Sequence, residues 1–268
     1  MINKLLSKVN EKGSSFAKII LKITSEMSHK ETTNTSAEHA IKSAVFYINL
    51  LDLYHESKDK NYATFSKNAD IFRREADKQR SKIYKFIPAA FRKDLEEVER
   101  KALTFFDYED KIRKKIKEGI RFKESEIYKY TYMRAGDNLI YGKIIESFFP
   151  EWCLTEELRI NTMLFDMCKD MIDYNDDVKN ELPNVLYMYL CTKKKKMEMP
   201  CDIKGAIIMA KRIGISAQII NFASNQKKKA LTSDNLEKSQ TLRNAILYRN
   251  DSLIQALTNG IKPKPFKF

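Results

Sequence analysis

Between residues 166 and 181 five acids stand at helical spacing: Asp166, Asp170, Asp173, Asp177 and Glu181. Steps of four, three, four and four residues keep every carboxylate on one face of an α-helix. Like charges so placed repel by about 0.2–0.5 kcal/mol per pair. The segment carries six acids, Asp176 included, against Lys169 and Lys179, a charge of −4 within a chain of net charge +13. Bulky apolar residues (Met163, Leu164, Phe165, Met167, Met171, Ile172) run through the same stretch. The helix therefore enters a core, and buried carboxylates need partners. A hard divalent cation answers both needs. Oxygens one helical turn apart along Asp173, Asp177 and Glu181 suit one ion, and Mg2+ on carboxylates is ordinarily there to hold a substrate's phosphates. The structural alternative is an acidic solvated face, or one paired with Lys and Arg of a neighbouring helix.

The elements that must position this face read as helices almost throughout. With 7 Gly and 6 Pro in 268 residues, punctuation is too sparse for a turn-rich β fold. Residues 1–28 read as one or two amphipathic helices, and Thr32 to Ser36 as a polar break. A periodic helix follows over 37–58 through Ile41, Ala44, Val45, Ile48 and Leu51. Helices are expected over 62–86, ending before Pro88, and over 92–117. One long helix over 124–149 bends near Gly136 and ends at Pro150. Thr155 is an N-cap with Glu156 and Glu157 in the first turn, and the acidic helix it opens runs to about Glu181, before Pro183. Val185 to Tyr189 begins another apolar element, and 193–200 is a loop. A helix spans 202–222, with Gly205 and Gly214 allowing close packing, and Ser233 caps a last long helix to about Asn259. The expected organisation is an N-terminal helical segment (1–36), one helical domain (37–259) and a loose tail (260–268).

Net charge of +13 and a pI near 9.4 favour anionic partners: nucleic acid, an anionic membrane surface or a phosphorylated substrate. Lys193–Lys196 and Lys227–Lys229 are the dense basic runs. Four cysteines without paired spacing and three histidines give no zinc signature. No run reaches the ~18 apolar residues of a membrane span, and a cytoplasmic location with free thiols is expected.

The string from Asp170 to Asn184, DMIDYNDDVKNELPN, resembles the second metal-binding motif of class I isoprenoid enzymes. These are the all-α terpenoid synthases, trans-prenyltransferases and squalene or phytoene synthases. The spacing of Asp173, Asp177 and Glu181 is similar to their ligand triad, and Asp170 with Asp173 resembles the paired acids of the prenyltransferase version. The resemblance implies a partner motif on an upstream helix. LLDLYHESKD, residues 50–59, offers Asp52 and Glu56 one turn apart, with Asp52 121 residues before Asp173. The usual DDxxD is absent there, and His55 stands where a second acid is expected.

Further roles follow from the same resemblance. MRAGDN, residues 133–138, is similar to the family's helix break with a basic diphosphate sensor, which makes Arg134 the sensor. Arg243, Tyr248 and Arg249 lie where some members close the site over diphosphate with an Arg-Tyr pair, here in the order Tyr-Arg. Lys129 joins Arg134, Arg243 and Arg249 as a diphosphate-binding candidate, and Arg134 and Tyr248 as catalytic ones. Tyr128, Tyr132 and Phe46 could line an apolar pocket. The implied fold is a single-domain antiparallel helical bundle of the class I terpenoid synthase type. The implied chemistry is ionisation of an allylic prenyl diphosphate by two or three Mg2+ ions, or Mn2+, held by Asp52, Glu56, Asp170, Asp173, Asp177 and Glu181. Cyclisation, coupling or elongation would follow. Nucleic acid is not expected as a partner of such an enzyme, while peripheral membrane contact and a homodimer stay open. The rival reading is a non-catalytic basic helical module that binds nucleic acid or an anionic membrane.

Overall fold

In the computed structural model, residues 18–26, 35–57 and 68–264 are described, and they contain twelve α-helices and no strand. Helix α1 covers 18–26 and α2 covers Thr35–Ser57. α3 spans Ala69–Phe86, α4 Arg92–Lys117, α5 Glu124–Arg134 and α6 Asp137–Phe148. α7, which bears the acids, spans Thr155–Lys179. α8 is Val185–Leu190, α9 Ile203–Arg212 and α10 Ile215–Leu231. α11 is the single turn Asp234–Glu237, and α12 is Gln240–Asn259.

The helices gather into two compact units that interleave along the chain. The first comprises residues up to Arg100, Leu139–Thr155 and Lys238–Thr241. Within it α2 packs on α3, burying the periodic positions Ile41, Ala44, Val45, Ile48 and Leu51. Buried Glu99 of α4 is satisfied from two helices: Arg80 Nε donates at 2.8 Å, Tyr84 Oη at 3.0 Å, and Tyr47 Oη also donates. Three donors around one carboxylate remove the cost of burying it.

The second unit comprises Lys101–Asn138, Glu156–Glu237 and the chain from Leu242 on. Within it α7 buries Leu158, Ile160, Met163, Leu164, Met167, Met171 and Tyr174. Here α8 packs against α5 and α9, and α9 against α10.

Three expected helices end or break differently. The helix over 124–149 is not bent but interrupted between Arg134 and Asp137. A Cβ at Gly136 would stand 2.8 Å from the Met133 carbonyl, so glycine is what lets the chain turn that tightly. The helix over 202–222 is two helices, related by a bend of 91° at Gly214, whose φ is +80°. That left-handed conformation penalises any Cβ although nothing lies within 4 Å of one. Gly214→Ala is therefore expected to lower stability by about 1–2 kcal/mol, read from urea denaturation. The last helix begins at Gln240, after the separate turn of α11, rather than at Ser233. Glu26 fixes that start, accepting from the Thr241 N–H at 2.9 Å and the Ser239 hydroxyl at 2.9 Å. In the tail, Pro263 is buried and Tyr248 Oη donates to the Lys264 carbonyl at 3.2 Å.

Candidate functional site

The break between α5 and α6 ends on Arg134, and α7 presents its acids to that residue. Arg134 Nη1 donates to Asp170 Oδ1 at 2.9 Å, and Arg134 Nε lies 3.5 Å from Asp166 Oδ2. Tyr130, one turn earlier on α5, places its ring 5.8 Å from the guanidinium carbon. Asp170 is 1% exposed and uses its second oxygen to accept the Val185 N–H at 2.7 Å.

That amide is available because α7 stops at Lys179. The Leu182 N–H returns to the Asp177 carbonyl at 2.8 Å, and Glu181 takes a left-handed φ of 56°. This is the closure glycine normally provides, and a side chain there costs roughly 1 kcal/mol. Pro183 follows, and Asn184 opens α8 as its N-cap. Fully buried Asn184 donates to the Asp170 carbonyl at 2.8 Å and to Asp177 Oδ2 at 2.9 Å, and accepts from the Tyr187 N–H.

The charges do not balance. Among the described residues Arg134 is the one cation in an ion pair with this group of acids. Burial works against its charge, but Asp166 and Asp170 outweigh that and hold its pKa well above the ordinary value. Burial pushes the Asp170 carboxyl up, while Arg134 and the Val185 amide pull it back. Two further acids have raised pKa values, chiefly through burial. Burial, then the charge of Asp166, pushes Asp137 up to about 7, although Asn138 donates to it at 2.7 and 2.9 Å. Burial, with Asp170 and Asp173 adding to it, pushes Asp177 up to about 6 against the hydrogen bond from Asn184.

A raised carboxylate pKa favours folding at low pH and loses that advantage as pH rises through the folded value. For Asp137 the window runs from its ordinary value near ~3.9 up to about 7. Between pH 5 and pH 8 the wild type should lose about 2 kcal/mol of stability that Asp137→Asn does not, measured by urea denaturation at the two pH values.

Of the remaining candidates, Asp52, Glu56 and Phe46 belong to the first unit and the others to the second. Asp173 is half-buried on α7. Glu181 lies beyond the helix end and pairs with Lys196 at 2.5 Å, so the ladder loses its last rung. Asp52 is exposed near the end of α2; Glu56 is in the last turn, its side chain outside the described residues. Lys129 is exposed, 4.8 Å above the Tyr108 ring. Arg243 and Tyr248 are half-buried on α12. Phe46 is half-buried on α2, and Tyr128 stacks on Tyr132 at 6.0 Å, both exposed. Arg249 is buried, donates to the Asn161 carbonyl at 3.0 Å and to its side chain, and lies 4.9 Å over Phe165. Burial presses its pKa down to about 10, which Cys168 and Asp166 oppose. It ties α12 to α7.

Asp137, Asn184 and the Val185 amide complete the centre without having been assigned a role from sequence. Asn184 carried a readable signal, an N-cap residue between Pro183 and the apolar run VLYMYL.

Carboxylate oxygens suit Mg2+, whose usual protein ligands are one or two carboxylates, with substrate phosphates completing the shell. Among the described residues no three His, Cys, Asp or Glu side chains are placed to hold one ion. Comparison with known proteins finds no match to a family model, a curated protein or a solved structure.

Proposed function

We propose that the acid face of α7, with Arg134, is the diphosphate-handling part of a Mg2+-dependent enzyme acting on a prenyl diphosphate. The fold would then be a bundle of the class I terpenoid synthase type. The observation that carries the reading is the charge imbalance around Arg134. One guanidinium meets Asp166 and Asp170, and two neighbouring acids are raised to about 7 and about 6. Buried carboxyl groups that hold their protons toward neutral pH can exchange them for a divalent cation, and binding it releases those protons.

Bound Mg2+ would neutralise charge on a departing diphosphate. Asp173 and Asp177 are the acids of the ladder on α7 that form no ion pair with Arg134, and they would supply its ligands. Asp177 is already oriented by Asn184. Asp170, committed to the Val185 amide and to Arg134, positions the guanidinium. Arg134 presents a planar fork that matches a phosphate's paired oxygens, and a diphosphate would compete with Asp166, the longer of its two contacts at 3.5 Å. The buried ring of Tyr130 lies beside it, 5.8 Å from the guanidinium carbon.

The test is release of inorganic pyrophosphate from geranyl, farnesyl and geranylgeranyl diphosphates, with and without Mg2+. Release from at least one of them that requires Mg2+ is expected. Inertness toward all three in the presence of Mg2+ would refute the reading.

A further inference from the structure

The second unit carries a surface that the diphosphate chemistry does not use. On α9, Lys204, Ile208, Lys211 and Arg212 follow at steps of four, three and one residues, which places them on one side of the helix. All four are exposed, and Ile208, at 66%, is the most exposed large apolar side chain described. No acid occurs in α9 itself. Lys211 Nζ donates to the Thr258 carbonyl, which draws the end of α12 to this helix. Three residues beyond Thr258, Ile261 is 49% exposed and is followed by exposed Lys262. Two exposed isoleucines thus accompany four exposed cations, Lys204, Lys211, Arg212 and Lys262, with the N-cap Asp202 at the start of the helix an exposed acid whose side chain accepts the Gly205 N–H. Among the described residues no single helix is long and apolar enough to cross a membrane, and α9 with α10 has the composition only as a pair bent by 91°.

We infer that this face docks on the surface of a bilayer containing anionic phospholipid. Lys204, Arg212 and Lys262 lie among the headgroups, and Ile208 and Ile261 enter the boundary of the acyl region. Charge and apolarity together select the occupant. A short helix with a cationic rim and exposed branched side chains gains from headgroup attraction and from apolar burial at once. A nucleic acid would reward the cations but offer the isoleucines nothing comparable, because such binding is dominated by phosphate contacts.

Flotation of the full chain with vesicles of phosphatidylcholine, with and without phosphatidylglycerol, tests this. Binding is expected to the mixed vesicles and to weaken as salt is raised. The double variant Lys204→Glu/Arg212→Glu should lower the partition coefficient about a hundredfold. Ile208→Ser should lower it about tenfold, and the exposure of that side chain leaves the fold unaffected. No binding to mixed vesicles, or binding that neither variant changes, would overturn the inference. So would binding of duplex DNA that the charge reversal abolishes and Ile208→Ser leaves alone, with vesicles unbound. Neither Mg2+ nor a diphosphate takes part, so the result is independent of the proposed function.

Discussion

Replacing Asp170 by alanine should lower the stability of the protein by about 3 kcal/mol, measured as the change in urea midpoint multiplied by the unfolding slope. Breaking a buried ion pair from one side ordinarily costs about 3–5 kcal/mol, because the surviving charge stays out of water. The lower end applies here, since Asp166 remains 3.5 Å from the guanidinium. The orphaned Val185 N–H adds to the loss. Removing both charges is the control. Arg134→Met/Asp170→Leu should recover most of the deficit, as buried pairs exchanged for apolar residues of similar volume commonly do. A single variant within about 1 kcal/mol of wild type would mean that the pair does not organise this centre.

Asp173→Ala should reduce kcat/KM for Mg2+-dependent pyrophosphate release about a thousandfold, the several kcal/mol a cation contributes at a phosphoryl oxygen. The position separates chemistry from folding. Asp173 is half-buried on α7, outside the Arg134 ion pairs, and alanine is the better helix former. Its stability should therefore match or exceed that of the wild type while activity falls. If Asp173→Ala and Asp177→Ala both keep wild-type rates, these two acids are not the ligands.

Much of the architecture could be read directly. That the described residues contain no strand fits the sparse glycine and proline, and the end of α3 fits Pro88. The range of α4 coincides with the expected 92–117, and α7 starts at Thr155 as its N-cap signal implies. What escaped was conformation at single residues. Nothing in the string RIGIS tells a glycine tolerated inside a helix from one at φ +80° that splits it. Glu181 escaped for the complementary reason. Spacing alone puts it on the ladder, but the helix closes two residues earlier and turns it toward Lys196. The centre itself was half legible. Its acids and Arg134 stand out by type and spacing, yet Arg134 and Asp170 are 36 residues apart, and only the packing of α5 on α8 and the Pro183 turn bring their partners together. Asp137 sits in the quoted MRAGDN string, but nothing in its neighbours reveals how far burial raises it.

Calorimetric titration of inorganic pyrophosphate into the protein near pH 6.5, with and without Mg2+, addresses the carboxylate centre most directly. Binding should require Mg2+, release protons as Asp177 and Asp137 ionise, and weaken at least about tenfold in Asp173→Asn. Pyrophosphate binding of equal strength without Mg2+, or with Mg2+ but unchanged by Asp173→Asn, would contradict the account.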